Sequence, residues 1–89
     1  MNPSITIEEA ERLFGDEIEN FMAKIINNKK DAFVLRLGLF VDLHDNFPVE
    51  DKIENVKANL YVTARTWAIN YINHKNLMDH AQTSQPGNV

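Results

Sequence analysis

His44 and Asp45, with Asp42 two residues before them, are the side chains of this sequence that first suggest chemistry, either a metal site or a phosphohydrolase-like cluster. A metal needs three or four ligands converging on one point. The remaining histidines, His74 and His80, are spaced so that they fall on different faces of a helix and supply no pair. We therefore expect no metal and no cofactor, and read His44 as a histidine near a helix C-terminus, where the dipole favours its charge. Covalent catalysis has little to draw on: cysteine is absent, and Ser4 and Ser84 lie near the ends of the chain. No nucleophile, base and orienting group assemble from local spacing, and Gly15, Gly38 and Gly87 do not make a phosphate-cradling loop. The expectation is a protein that is not an enzyme.

Binding surfaces are better represented. Glu8, Glu9, Glu11, Asp16, Glu17 and Glu19 concentrate acid in the first segment and suggest a docking face for a basic protein, against the plainer reading of a solvated helix with acids near its N-terminus. Towards the C-terminus, Arg65, Trp67, Asn70, Tyr71, Asn73 and His74 mix aromatic and polar groups as contact surfaces do. Trp67 and Tyr71 share an apolar stripe and read as packing residues, which leaves Arg65, Asn70 and His74 as candidate ligand contacts.

These groups need elements to hold them. Thr6-Ile7-Glu8-Glu9 is a Thr-x-x-Glu capping box. Beyond it Ala10, Phe14, Ile18, Phe21, Met22 and Ile25 recur at steps of three or four, so one amphipathic helix is expected over about 7–27. Asn27 to Asp31 is turn-rich, with Asp31 a candidate cap for the next helix. Pro48 closes that second element and suits the first turn of a third. Ile53, Val56, Leu60, Ala64, Trp67, Ala68 and Tyr71 then mark a long helix over about 49–80, with a flexible tail at 82–89.

The middle element, Val34 to Asp45, alternates like a strand. At about 3.3 Å per residue it would be roughly 40 Å long, about twice the common strand length, and it would have no partner in the chain. Its four leucines against two valines also favour a helix, expected over about 32–45. Viewed as a helix it carries two apolar stripes: Phe33, Leu37, Phe40, Val41 and His44 on one side, and Leu35, Leu39 and Leu43 on the other. Arg36 separates them along one edge, and Gly38 with Asp42 along the other. One stripe can pack within the monomer and the second needs another surface. Leu35, Leu39 and Leu43 are the residues expected to meet another chain.

At 89 residues the chain makes one helical domain, over 1–81, of a size that buries roughly 60 per cent of its unfolded surface and profits from association. A net charge of −4 with scattered cations disfavours nucleic acid as a partner. No apolar stretch approaches the roughly 20 residues of a membrane span, so a soluble, cytoplasmic protein with no membrane contact is expected.

Ala64-Arg65-Thr66-Trp67-Ala68 resembles the Ala-x-x-Trp-Ala segment of small phage helical-hairpin proteins that sequester cyclic-nucleotide signals. The likeness covers part of one helix, and the Gly-Tyr-Arg-type motif of that family is missing from the N-terminus. It implies an oligomer holding a nucleotide between subunits through Arg65 and nearby asparagines. The expected architecture is an all-α, three-helix antiparallel bundle with a long C-terminal helix, forming oligomers. The expected function is non-enzymatic: an inhibitor, immunity or regulatory factor of bacterial or phage type that contacts itself and another protein. The alternative is an oligomeric protein that sequesters a small ligand or cyclic nucleotide.

Overall fold

In the computed structural model, which describes residues 3–47 and 50–87 with side chains through residue 77, three helices follow one another up, down and up. Helix α1 spans Ile7–Ile26, α2 Lys29–Asn46 and α3 Ile53–Gly87. Two short strands, β1 at Ser4–Thr6 and β2 at Glu50–Lys52, precede α1 and α3 and pair antiparallel, with Ile5 opposite Asp51. This ribbon corrects the purely helical expectation. Three residues carry no readable period, and the pairing is made across the two intervening helices, where local sequence gives no signal. The backbone N–H of Ile53 also donates to the Pro3 carbonyl (3.0 Å), tying the start of α3 to the start of the chain.

Helix α1 begins where its capping box requires. The Thr6 hydroxyl accepts from the Glu9 N–H (3.1 Å), and the Glu9 carboxylate accepts from the Thr6 N–H (3.0 Å). Two of the free amides at the helix start are thereby satisfied. Thr6→Ala should cost about 0.5–2 kcal/mol, read as a lower urea midpoint with an unchanged slope; Thr6→Ser should restore most of it. At the other end Asn27 takes the left-handed conformation (φ 56°), which asparagine tolerates better than most residues.

The cap of α2 is Asn28, not Asp31. The Asn28 side-chain oxygen accepts from the Asp31 N–H (3.0 Å), and its amide donates to the Asp31 carboxylate (3.3 Å). Asparagine at that point starts the helix three residues earlier than the sequence suggests, leaving Asn27 and Asn28 as the whole turn between α1 and α2. So short a turn makes α1 and α2 an antiparallel pair. The third helix begins at Ile53, after β2, and runs to Gly87, past the end expected near residue 80. Ala81 and Gln82 are good helix formers, and the first breakers in sequence are Pro86 and Gly87. Pro48 and Val49, expected to open this helix, lie outside the described residues, as do the His80 side chain and residues 88 and 89 of the expected tail.

The core takes one stripe from each helix: Ala10, Ile18 and Met22 from α1, Ala32, Leu39, Phe40 and Leu43 from α2, and Val56, Leu60, Ala64 and Ala68 from α3. Ile5 and Ile7 close one end, and Phe14, Phe21, Ile53 and Trp67 pack around the edge half-buried. For α1 and α3 these are the stripes read from the sequence. At about 1.5 Å per residue α3 is roughly 52 Å long, against about 30 Å for α1. The molecule accordingly measures 64 × 22 × 16 Å.

Candidate contact surface

Which stripe of α2 faces inward is decided by the two residues that separate the stripes. Arg36 reaches α1, where its Nη1 donates to Asp16 Oδ1 (2.8 Å) and to Glu19 Oε1 (3.0 Å). Partial burial works against the guanidinium charge, but the bonds to Asp16 and then Glu19 outweigh it and hold its pKa above the ordinary value. The guanidinium lies over Gly15, where a Cβ would come within 2.4 Å of Arg36 Nη2. On the opposite edge, Gly38 receives the indole of Trp67 from α3, at 3.0 Å from the position a Cβ would take. Tyr71 of α3 donates a hydrogen bond to the Asp31 carboxylate on the same side of α2.

With α1 held at Arg36 and α3 at Gly38, the residues between those edges face the core. Leu39 and Leu43 are buried and Leu35 is half-buried against them. This corrects the assignment of Leu35, Leu39 and Leu43 to a contact with another chain: within the monomer they are already covered. The opposite face is the one left open. Phe33, Val34, Leu37 and Val41 are 49, 61, 47 and 63 % exposed, with His44 exposed beside them. Of the stripe expected to pack inside, only Phe40 does so.

The acids of α1 are largely spent within the fold. Glu9 completes the capping box, and Asp16 and Glu19 hold Arg36. Glu17 accepts from the Tyr61 hydroxyl and lies 3.7 Å from Lys57 Nζ. Lys57 in turn sits 5.2 Å from the Phe14 ring centroid, and Phe21 meets Tyr61 edge to face at 4.8 Å. Among the described residues Glu8 and Glu11 have no such tie, Glu8 exposed and Glu11 half-buried, and the Asp16 side chain stays 96 % exposed beside Arg36. Half of the charge run, Asp16, Glu17 and Glu19, thus ties α1 to the other helices.

Tyr61 carries the clearest pH signature. Its pKa is pushed up to about 12, first by the hydrogen bond to Glu17, then by lost hydration and by the carboxylate charge. A phenol whose folded pKa lies above its unfolded value of 10.0 contributes its stabilisation below that pH and loses it as pH rises towards about 12. Ring-carbon NMR should show Tyr61 ionising near pH 12 and, in Glu17→Gln, returning towards the ordinary value.

Arg65, Asn70 and His74 are all exposed on α3. Asn70 and His74 share a face, four residues apart, while Arg65 projects well round the helix from them at 100° per residue. The fold does not gather the three into one site. At the turn between α1 and α2, Asn20, Ala23, Lys24, Asn27, Asn28 and Lys29 line an open depression of about 490 Å³, and none of the three ligand candidates borders it. Among the described residues no group of three or more His, Cys, Asp or Glu side chains gathers where a metal could sit, and no helix is long and apolar enough to cross a membrane.

The fold and its surfaces define a small three-helix bundle with a long C-terminal helix and an uncovered apolar face on the second helix. Comparison with protein families, curated proteins and solved structures gave no match.

Proposed function

We propose that this protein acts by binding other protein chains, as an inhibitor, immunity or regulatory factor of bacterial or phage type, and carries out no reaction of its own. The observation that supports this is the outer face of α2, where Phe33, Val34, Leu37 and Val41 stand exposed side by side on one helix. Single apolar residues on a surface need no explanation, but a contiguous set marks a contact site. Nucleic acid is a poor match for such a face, which is apolar where a phosphate backbone would require clustered cations. A photo-crosslinking side chain at position 37 tests the idea in extracts of the native host. Discrete protein adducts from position 37, with none from exposed position 13 on α1, would support it; no adducts from position 37 would contradict it.

A second proposal is the binding of a small anionic ligand, supported by the asparagine- and lysine-lined depression at the α1–α2 turn. Nucleotides, cyclic ones included, are the ligands to try first, since Lys24 and Lys29 suit a phosphate and the asparagines a base or sugar. A ligand present at 100 times its Kd adds about 2.7 kcal/mol of stability, so a thermal-shift panel reads it directly. A flat response across nucleotides would remove this alternative.

A further inference from the structure

The open face of α2 has a spacing and a charge pattern that specify its occupant. Val34, Leu37, Val41 and His44 follow at steps of three, four and three, the repeat that keeps a seam facing a second helix. Helices α1 and α3 both pack on the far side of α2, so a helix can approach this seam along its length. The charges at its ends run against the helix itself. Exposed Lys30 lies in the first turn of α2, where the dipole is positive, and exposed Asp45 in the last, where it is negative. Asp31 and His44 suit the dipole, but the Asp31 carboxylate already accepts from the Asn28 amide and the Tyr71 hydroxyl. Lys30 and Asp45 form no ion pair among the described residues, and each lies within reach of the apolar seam.

From this pattern we infer that a second copy of this chain covers the face, its α2 running antiparallel to the first. With the two helices crossing between Leu37 and Gly38, Val34 falls opposite Val41 of the second copy, and Lys30, one turn before Val34 on the seam, falls opposite Asp45 of the second copy. Each lysine then meets a carboxylate at the negative end of the other helix, and the charges that oppose their own dipole favour the partner's. A parallel pairing would set lysine against lysine and aspartate against aspartate, with the dipoles aligned. The antiparallel arrangement is the one in which seam and charges agree.

This inference rests on the reading of α2 as a protein-contact face and adds the identity of the partner. Sedimentation equilibrium of the purified protein tests it, with circular dichroism as the check on folding. The expected result is a dimer, converted to a folded monomer by Leu37→Asp. Lys30→Glu and Asp45→Lys should each weaken dimerisation several-fold at low salt, and the two together should restore it. Both substitutions suit α2's own dipole, so weakened association cannot be assigned to unfolding. A wild-type monomer at millimolar concentration would overturn the proposal, as would a double variant no better than the singles. Crosslinking from position 37 separates the two failures: adducts to a different protein from a monomeric chain retain the contact face and reject the second copy, whereas no adducts reject both.

Discussion

Leu39→Ala should destabilise the monomer by about 2–5 kcal/mol, while Leu37→Ala, two residues away on the same helix, should stay within about 0.5 kcal/mol of the wild type. Leu39 is fully buried among the three helices, so truncation loses both its burial and the packing around the void left behind. Leu37 is nearly half exposed and leaves no enclosed cavity. For a small domain whose whole stability is of the order of 5–10 kcal/mol, the first change removes a large share. Urea unfolding followed by circular dichroism, at concentrations low enough to keep the chain monomeric, measures both. Equal losses at the two positions, or a larger loss at Leu37, would reverse the orientation assigned to α2.

Gly38→Val should cost about 1–3 kcal/mol. A Cβ at that position would lie 3.0 Å from Trp67 Cζ3, so even a methyl group presses on the indole. Alanine needs a displacement of a few tenths of an ångström and gains up to about 1 kcal/mol in helix propensity, which leaves Gly38→Ala near neutral. Valine adds two methyl groups with a restricted χ1 and gains little propensity, so the ring must leave its seat against α2. Trp67 is the only tryptophan of the chain, and its emission reports the change directly. A red shift together with a lower unfolding midpoint in Gly38→Val, and neither in Gly38→Ala, is the expected outcome. An unshifted spectrum in Gly38→Val would mean that Trp67 does not rest on this glycine.

These two positions also show what was legible in the sequence. Helices α1 and α3 each carry a single apolar stripe, and α1 adds a capping box whose two hydrogen bonds form as their spacing requires. Local chemistry was enough to orient both. Helix α2 carries apolar residues on two sides, so periodicity identifies it as a helix without saying which side faces in. That choice is made by partners distant in sequence: Asp16 and Glu19 for Arg36, and Trp67 for Gly38. The signal was available in another form. A lone arginine on an apolar helix needs an acid, and a mid-helix glycine suits a large ring, so Arg36 and Gly38 mark the edges that α1 and α3 meet.

The acids of α1 carry a role that their order along the chain does not show. Six carboxylates in twelve residues look like a field aimed at a partner when counted along the chain, yet Asp16, Glu17 and Glu19 are turned towards Arg36, Lys57 and Tyr61 of the neighbouring helices. The ribbon of β1 and β2 was hidden by brevity, since only Ile5 among its residues is apolar and buried.

The chain contains no cysteine, so a single introduced thiol reports on α2 without interference. Labelling rates of Leu37→Cys and Leu39→Cys under native conditions, followed across protein concentration, test the central claim that the outer face of α2 is the contact surface. The thiol at position 37 should react quickly in dilute solution and slow as concentration rises and the second copy covers it, while the thiol at position 39 stays protected throughout. Rapid labelling at position 39 with protection at position 37 at every dilution would contradict the orientation of α2 and the contact surface with it.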